Sequence, residues 1–308
     1  MNSIDLKAQR IGILMGGLSG EREISLRTGR AVLEALEAKG YQVVAIDAGR
    51  DLAVRLLEAQ VDLAFIALHG RYGEDGTVQG LLELMGIPYT GSGVLASSLA
   101  MDKMMTKRLL ETVGIPVAPA EIFRAGDELD AFLARPRSYP VVAKPNREGS
   151  TLGITIARSA EQLRAGLEQA LEHDNLVLVE AYIAGAELTV GVVNGEALPI
   201  IQIVPKSGFY DFTAKYTAGQ TDYLLPAPIS GLLTLDLQRA AREACRLLGC
   251  RGGARVDFIA GNDGWVCLEV NTIPGMTATS LLPKAAAHAG LAFGELCERL
   301  LRDAGLDK

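Results

Sequence analysis

The sequence has 308 residues, 49% of them hydrophobic and 22% charged, with a formal net charge of -7. That length suits two or three packed domains with clefts between them, and the composition is that of an ordered globular protein rather than a disordered one. The acidic balance and the lack of any basic block exclude a nucleic-acid surface, and no apolar run reaches the roughly 20 residues of a membrane-spanning helix.

The first ten residues carry Asp5, Lys7 and Arg10 in place of the apolar segment of a secretory signal, so a cytoplasmic protein is expected. Cys245, Cys250, Cys267 and Cys297 sit in apolar patterned segments without metal-type spacing and read as buried thiols.

In chain order, residues 11–15, 43–46 and 63–68 are short apolar runs that predict buried parallel strands, with residues 23–38 as the crossover helix between the first two. The opening third is thereby an open α/β unit. Residues 95–113 are helically patterned until Ile115, Pro116 and Pro119 break the pattern. A hairpin of residues 141–144 and 154–156, a helix over 160–173 and a strand over 176–180 then predict a small α+β unit. Strands over 189–193 and 198–204 lead into residues 205–228, whose missing periodicity predicts a long functional loop. A helix over 235–248, a hairpin over 254–271 and a helix over 293–301 follow.

The first strand runs into Gly16, Gly17 and Gly20 and then a helix, with Asp47 ending the second strand, which imitates a dinucleotide fingerprint. Glu21 and Glu23 at that helix start would repel a pyrophosphate, so a cation fits better. Glu21 is either a charge that suits the helix dipole or a carboxylate held for a substrate ammonium, with Arg22 beside it to offset part of the charge. His69 follows the third strand, at the carboxyl ends where open α/β sheets bind ligands; a merely hydrogen-bonded histidine is the alternative.

Lys144 precedes the turn Arg147 to Gly153, which is either a bare surface turn or a phosphate cradle of backbone amides with a lysine point charge. The sharper pattern is Arg255-Val256-Asp257 facing Leu268-Glu269-Val270-Asn271. If the hairpin turns about Asp263, Asp257 opposes Glu269 and Arg255 opposes Asn271, all on one face. Opposed carboxylates require a compensating cation, and hard oxygen donors suit Mg²⁺ rather than Zn²⁺. The loop from Thr272 to Met276 offers backbone amides to a developing oxyanion.

Together the segments 16–26, 67–80, 88–103 and 144–153, Lys215-Tyr216 and the 271–276 loop resemble the D-alanine–D-alanine ligase family, in that family's order and over nearly the whole chain. The resemblance implies an N-terminal Rossmann-like domain over 1–102 and a two-part ATP-grasp fold over 103–187 and 188–308. It implies ATP as co-substrate, two Mg²⁺ ions with Mn²⁺ as an accepted substitute, a homodimer, and a cytosolic role in peptidoglycan synthesis. ATP would phosphorylate one D-alanine, and the amine of a second would attack the acyl phosphate.

By the same resemblance, Glu21 binds the first ammonium, linked to Ser150 and Tyr216, and His69 lies near the first substrate. Arg255 and Gly275 stabilise the oxyanion, and Ser280 and Leu281 take the second carboxylate. Lys103, Lys144 and Lys215 hold phosphates, Asp257, Glu269 and Asn271 hold Mg²⁺, Glu180, Ala181, Tyr182 and Ile183 read adenine, and Glu187 reaches the ribose. Residues 206–222 form a lid, and Tyr216 favours an amine over a hydroxyl as second nucleophile. Thr151 and Phe212 depart from the commoner Ser and Tyr. Another ATP-grasp ligase would share Lys144 and the metal hairpin but not the set of Glu21, Ser150 and Tyr216.

Overall fold

The computed structural model describes residues 5–149, 151–206, 208, 214, 217, 219–277 and 279–308. Among the described residues the strands form three sheets, of three, four and six strands. The combination of α/β and α+β units is the expected fold class.

In the first sheet, β1 (Arg10–Met15), β2 (Gln42–Asp47) and β3 (Leu63–Ile66) run parallel, with α1 (Arg22–Ala38) as crossover. Strand β3 ends two residues before the apolar run does: Ala67 and Leu68 are buried but already outside the strand. Helices α2 (Leu52–Glu58) and α3 (Thr77–Met85) flank this sheet. The helically patterned segment 95–113 is two helices, α4 (Val94–Met101) and α5 (Lys103–Thr112). Asp102 between them is extended, and its carboxylate accepts the amide of Met105 at 2.9 Å, so an N-cap restarts the helix there.

The second sheet contains β4 (Ala120–Arg124), β5 (Val141–Pro145), β6 (Thr155–Ala157) and β7 (Leu176–Ala181), with α6 (Leu129–Leu133) and α7 (Ala160–Leu171) on it. Strands β5 and β6 pair antiparallel, Val141 opposite Ala157. Ser159 starts α7 by accepting the amide of Gln162.

The third sheet holds β8 (Ala186–Val193), β9 (Glu196–Ala197), β10 (Ile201–Pro205), β11 (Thr221–Leu224), β12 (Gly253–Gly261) and β13 (Gly264–Asn271), covered by α8 (Gly231–Leu248). Strand β11 corrects the expectation of an unstructured stretch over 205–228: Thr221 to Leu224 pair with β10 as an edge strand. Its alternation is too short to stand out, and the pairing partner supplies the order. The boundary expected after residue 187 falls inside β8, since Glu187 already pairs with Ile203 and Ile259.

Two further helices, α9 (Leu281–His288) and α10 (Phe293–Arg302), pack against the first sheet: Ile11, Ile13 and Phe65 share one core with Leu282, Leu296 and Leu300. Helix α5 instead places Leu110 in the core of the third sheet beside Leu188, Val256 and Phe258. Both packings bring the carboxyl ends of β1 and β3 next to the β12–β13 hairpin. No helix among the described residues is long and apolar enough to cross a membrane.

Candidate active site

The turn after β1 places Gly16 and Gly17 at φ 79° and 83°, where side chains are strained. A Cβ on Gly16 would lie 2.3 Å from an Asp47 carboxylate oxygen and 2.6 Å from Arg22, so glycine lets these two meet. They do so through two hydrogen bonds of 2.7 and 2.8 Å. Arg22 therefore offsets Asp47, not Glu21 as the sequence suggested. The Asp47 carboxyl is held below its ordinary value, chiefly by the Arg22 hydrogen bond.

Glu21 occupies the N-cap of α1 without making a side-chain cap. Its carboxylate reaches outward: Cβ atoms built on Gly70 and Gly149 would lie 2.7 and 3.0 Å from its Oε2. Two glycines from different loops thus leave space for one carboxylate, more than a helix-start charge requires.

His69 is buried, with Nε2 3.1 Å from the Thr28 hydroxyl and Nδ1 3.3 Å from Glu74. Burial pushes its pKa down, yet the hydrogen bond and charge of Glu74, with the charge of Glu21, outweigh this and hold it above the ordinary imidazole value. Ser19 donates to the His69 carbonyl at 2.6 Å and so ties the two loops together.

The β12–β13 register is the one the sequence implied at the site, Asp257 opposite Glu269 and Arg255 opposite Asn271. The turn itself sits between Gly261 and Gly264, half a residue earlier than expected, and a bulge beside Phe258 makes up the difference. Asp257 is saturated: Oδ1 accepts from Thr189 at 2.6 Å and Arg255 Nε at 2.9 Å, and Oδ2 from Arg255 Nη2 at 2.8 Å and Asn271 at 3.2 Å. Glu269 lies 3.5 Å from Lys103 Nζ, which also donates to the Glu148 carbonyl at 2.7 Å. The opposed carboxylates are balanced by one guanidinium and one ammonium.

Behind this hairpin Glu180 bridges two lysines, Lys107 at 2.6 Å and Lys144 at 2.8 Å, all three buried. Burial raises the Glu180 pKa, but the charges of Lys144 and Lys107 prevail and hold it below the ordinary carboxylate value. Lys107 is lowered, mainly by burial. The sequence reading missed Lys107 and Thr189. Spacing i, i+4 from Lys103 on one helix could have flagged the lysine, whereas Thr189 comes opposite Asp257 only through the long-range pairing of β8 with β12.

Glu21, His69, Arg255, Glu269, Asn271, Gly275, Ser280 and Leu281 meet around one cavity of about 150 Å³. Glu74, Arg27 and Tyr223 also line it. A Cβ on Gly275 would lie 2.9 Å from the Ser280 hydroxyl, so glycine permits this loop to close on the start of α9. Ser280 Oγ accepts the amide of Thr277 at 3.1 Å. The adenine and ribose candidates are elsewhere: Ala181 ends β7, Glu187 lies on β8, and Tyr182 and Ile183 lie between the two strands, Tyr182 exposed. The amides of Ala181 and Tyr182 donate to the carbonyls of Pro119 and Pro140. Ser150, Phe212, Lys215 and Tyr216 lie outside the described residues.

Family models described as D-ala D-ala ligase N-terminus and D-ala D-ala ligase C-terminus match residues 48–92 and 109–302. The D-alanine–D-alanine ligase of Syntrophotalea carbinolica is 58% identical over 308 residues, covering 100% of both chains. That of Citrifermentans bemidjiense is 52% identical over 303 residues, 98% of each. A crystal structure of the Bacillus anthracis enzyme complexed with ATP superposes with a TM-score of 0.83 at 36% identity, covering 96% of each chain. The chain belongs to the D-alanine–D-alanine ligase family.

Proposed function

We propose that this chain joins two D-alanine molecules, converting ATP to ADP and phosphate, to supply D-alanyl-D-alanine for peptidoglycan. The observation that carries this reading is a cavity of amino-acid size with the Glu21 carboxylate and the Arg255 guanidinium both on its walls. A zwitterion needs both signs of charge at fixed separation, and a dinucleotide needs neither there.

The first D-alanine places its ammonium on Glu21, and its carboxylate takes the γ-phosphoryl group, releasing ADP. The amine of the second D-alanine, once it has lost a proton, attacks the acyl carbon. The oxygen that becomes negative then meets Arg255 and the amide of Gly275, donors fixed before the charge develops. Collapse expels phosphate and leaves the peptide bond. Ser280 and Leu281, at the first turn of α9, hold the second carboxylate, where helix amides and dipole favour an anion.

Asp257, Glu269 and Asn271 offer Mg²⁺ two carboxylates and an amide on one hairpin face, provided that Asp257 exchanges one of the four hydrogen bonds it accepts for the cation. Asn271 donates its amide N–H to Asp257, which leaves its oxygen for a cation. Bound there, the metal would neutralise charge on the nucleotide phosphates. Lys103, Lys144 and Lys215 add positive charge to the same phosphates, the residues from Glu180 to Ile183 with Glu187 take the nucleoside, and Ser150 and Tyr216 act beside Glu21. Residues 206–222 close over the acyl phosphate to keep water from it.

Incubation with ATP, Mg²⁺ and D-alanine tests the reading. Equal amounts of ADP, phosphate and a dipeptide of the right mass are expected. ADP formation without dipeptide, or no turnover at all, would refute it.

A further inference from the structure

A second cavity, on the far side of the third sheet, has a chemistry unrelated to ligation. It measures about 540 Å³ and is lined by Cys245, Cys250, Arg242, Arg246, Arg251 and Asp303, among others. Both cysteines belong to the C-terminal cap of α8. Gly249 takes the left-handed conformation at φ 77°, and the amide of Cys250 donates to the Cys245 carbonyl at 2.8 Å. This Schellman geometry folds the residue after the glycine back onto the last helical turn. It turns the side chains of two cysteines five positions apart toward each other, and both line the same cavity. Each thiol shifts the acidity of the other, in opposite directions.

The pair is asymmetric. Hydrogen bonds from Cys245 and, after the opposing effect of burial, from Ser92 hold the Cys250 thiol below its ordinary value, while Cys245 is raised by donating to Cys250 and by burial. Cys250 is also the less buried of the two. One sulfur is thus prepared to attack and the other to follow.

The charge around the thiols is positive. Arg246 pairs with Glu243 at 2.5 Å, but Arg251 approaches Asp303 only to 3.9 Å, and Arg242 carries no ion pair among the described residues. Asp303 Oδ2 is buried without a hydrogen-bond donor, so the guanidinium groups are not consumed by it. Cations at a helix C-terminus suit its dipole, yet dipole compensation does not require two thiols and a cavity between them.

We propose that Cys245 and Cys250 form a redox-active dithiol that reacts with small anionic disulfides drawn into this cavity by its arginines. The Cys250 thiolate attacks the disulfide RSSR, forming a mixed disulfide and releasing RS⁻, which takes up a proton. The Cys245 sulfur, losing its proton, attacks Cys250 Sγ, forms the internal disulfide and releases the second RS⁻. The protein loses two protons and two electrons, and RSSR gains them as two RSH. The bond ties the end of α8 to the segment entering β12, the strand of Arg255 and Asp257.

The test is intact mass and peptide mapping of the folded protein after exposure to oxidised glutathione. The wild type should lose two hydrogens and yield a linked Cys245–Cys250 peptide. Cys245→Ser should instead gain one glutathionyl group on Cys250. Arg242→Gln should slow oxidation by glutathione disulfide about threefold at low salt and leave the rate with neutral hydroxyethyl disulfide unchanged. The proposal is overturned if the folded wild type keeps both thiols, if label collects on Cys267 or Cys297 instead, or if the arginine substitution affects both disulfides alike. The wild-type measurement stands even if a variant fails to fold, and it does not depend on the ligase reading.

Discussion

At the scale of single residues, glycine decides where charges can sit. Gly70 and Gly149 come from loops 79 positions apart in number, yet each leaves room for the same Glu21 oxygen. The sequence displayed Glu21 as a charge unsuited to pyrophosphate, but which glycines would surround it is a tertiary fact that no local pattern carries. Glu21→Gln keeps the shape and removes the charge proposed to meet the first ammonium. Loss of one charge-assisted hydrogen bond costs about 2 kcal/mol, so D-alanine affinity at the first site should fall roughly thirtyfold while ATP affinity holds. Calorimetry with each ligand separates the two, and unchanged D-alanine binding would rule out the assignment.

Glu180 is the residue whose environment was least legible. As the last glutamate of an apolar strand it resembled a nucleotide contact, and nothing in the sequence announced that Lys107 and Lys144 converge on it. Its folded pKa lies below its ordinary value of 4.5, so its contribution to stability is complete above pH 4.5 and fades as pH falls through the lower folded value. Glu180→Gln leaves two buried lysines without a counter-charge, at a cost of about 3–5 kcal/mol near neutral pH. Denaturant titrations should find the gap between wild type and variant narrowing only below pH 4.5. A gap independent of pH in that range would mean that the carboxylate charge is not what stabilises the cluster.

At the scale of elements, the β12–β13 hairpin was readable because period-2 alternation and a short polar turn fix which residues oppose each other. The bulge beside Phe258 was not readable, since a one-residue irregularity leaves the flanking pattern intact. Strand β11 and the break between α4 and α5 were hidden for related reasons: one needs its partner β10 to be a strand, the other depends on a single capping aspartate. The hairpin carries the next prediction. Asp257→Ala and Glu269→Ala should each lower Mg²⁺-dependent turnover by more than about a hundredfold, because each removes a hard donor and leaves Arg255 or Lys103 without its carboxylate. Circular dichroism establishes that the variants fold, and turnover of either at the wild-type rate would contradict the metal assignment.

At the scale of the whole molecule, the α/β opening and the α+β remainder were visible in the order of apolar runs. How they assemble was not. The first sheet shares its core with α9 and α10 from the other end of the chain, and α5 joins the core of the third sheet. Long-range apolar complementarity of this kind leaves no periodic trace, yet it is what sets Glu21 and His69 facing Arg255 and Gly275 across one cavity. The assembly makes chemical sense if a carboxylate from one substrate is activated there and met by an amine from another.

Carboxylate activation can be followed directly with D-alanine labelled with oxygen-18 in its carboxylate, turned over with ATP and Mg²⁺. The account predicts that each dipeptide formed is matched by one phosphate carrying a single labelled oxygen, transferred when the acyl phosphate collapses. Dipeptide accompanied by unlabelled phosphate would contradict it.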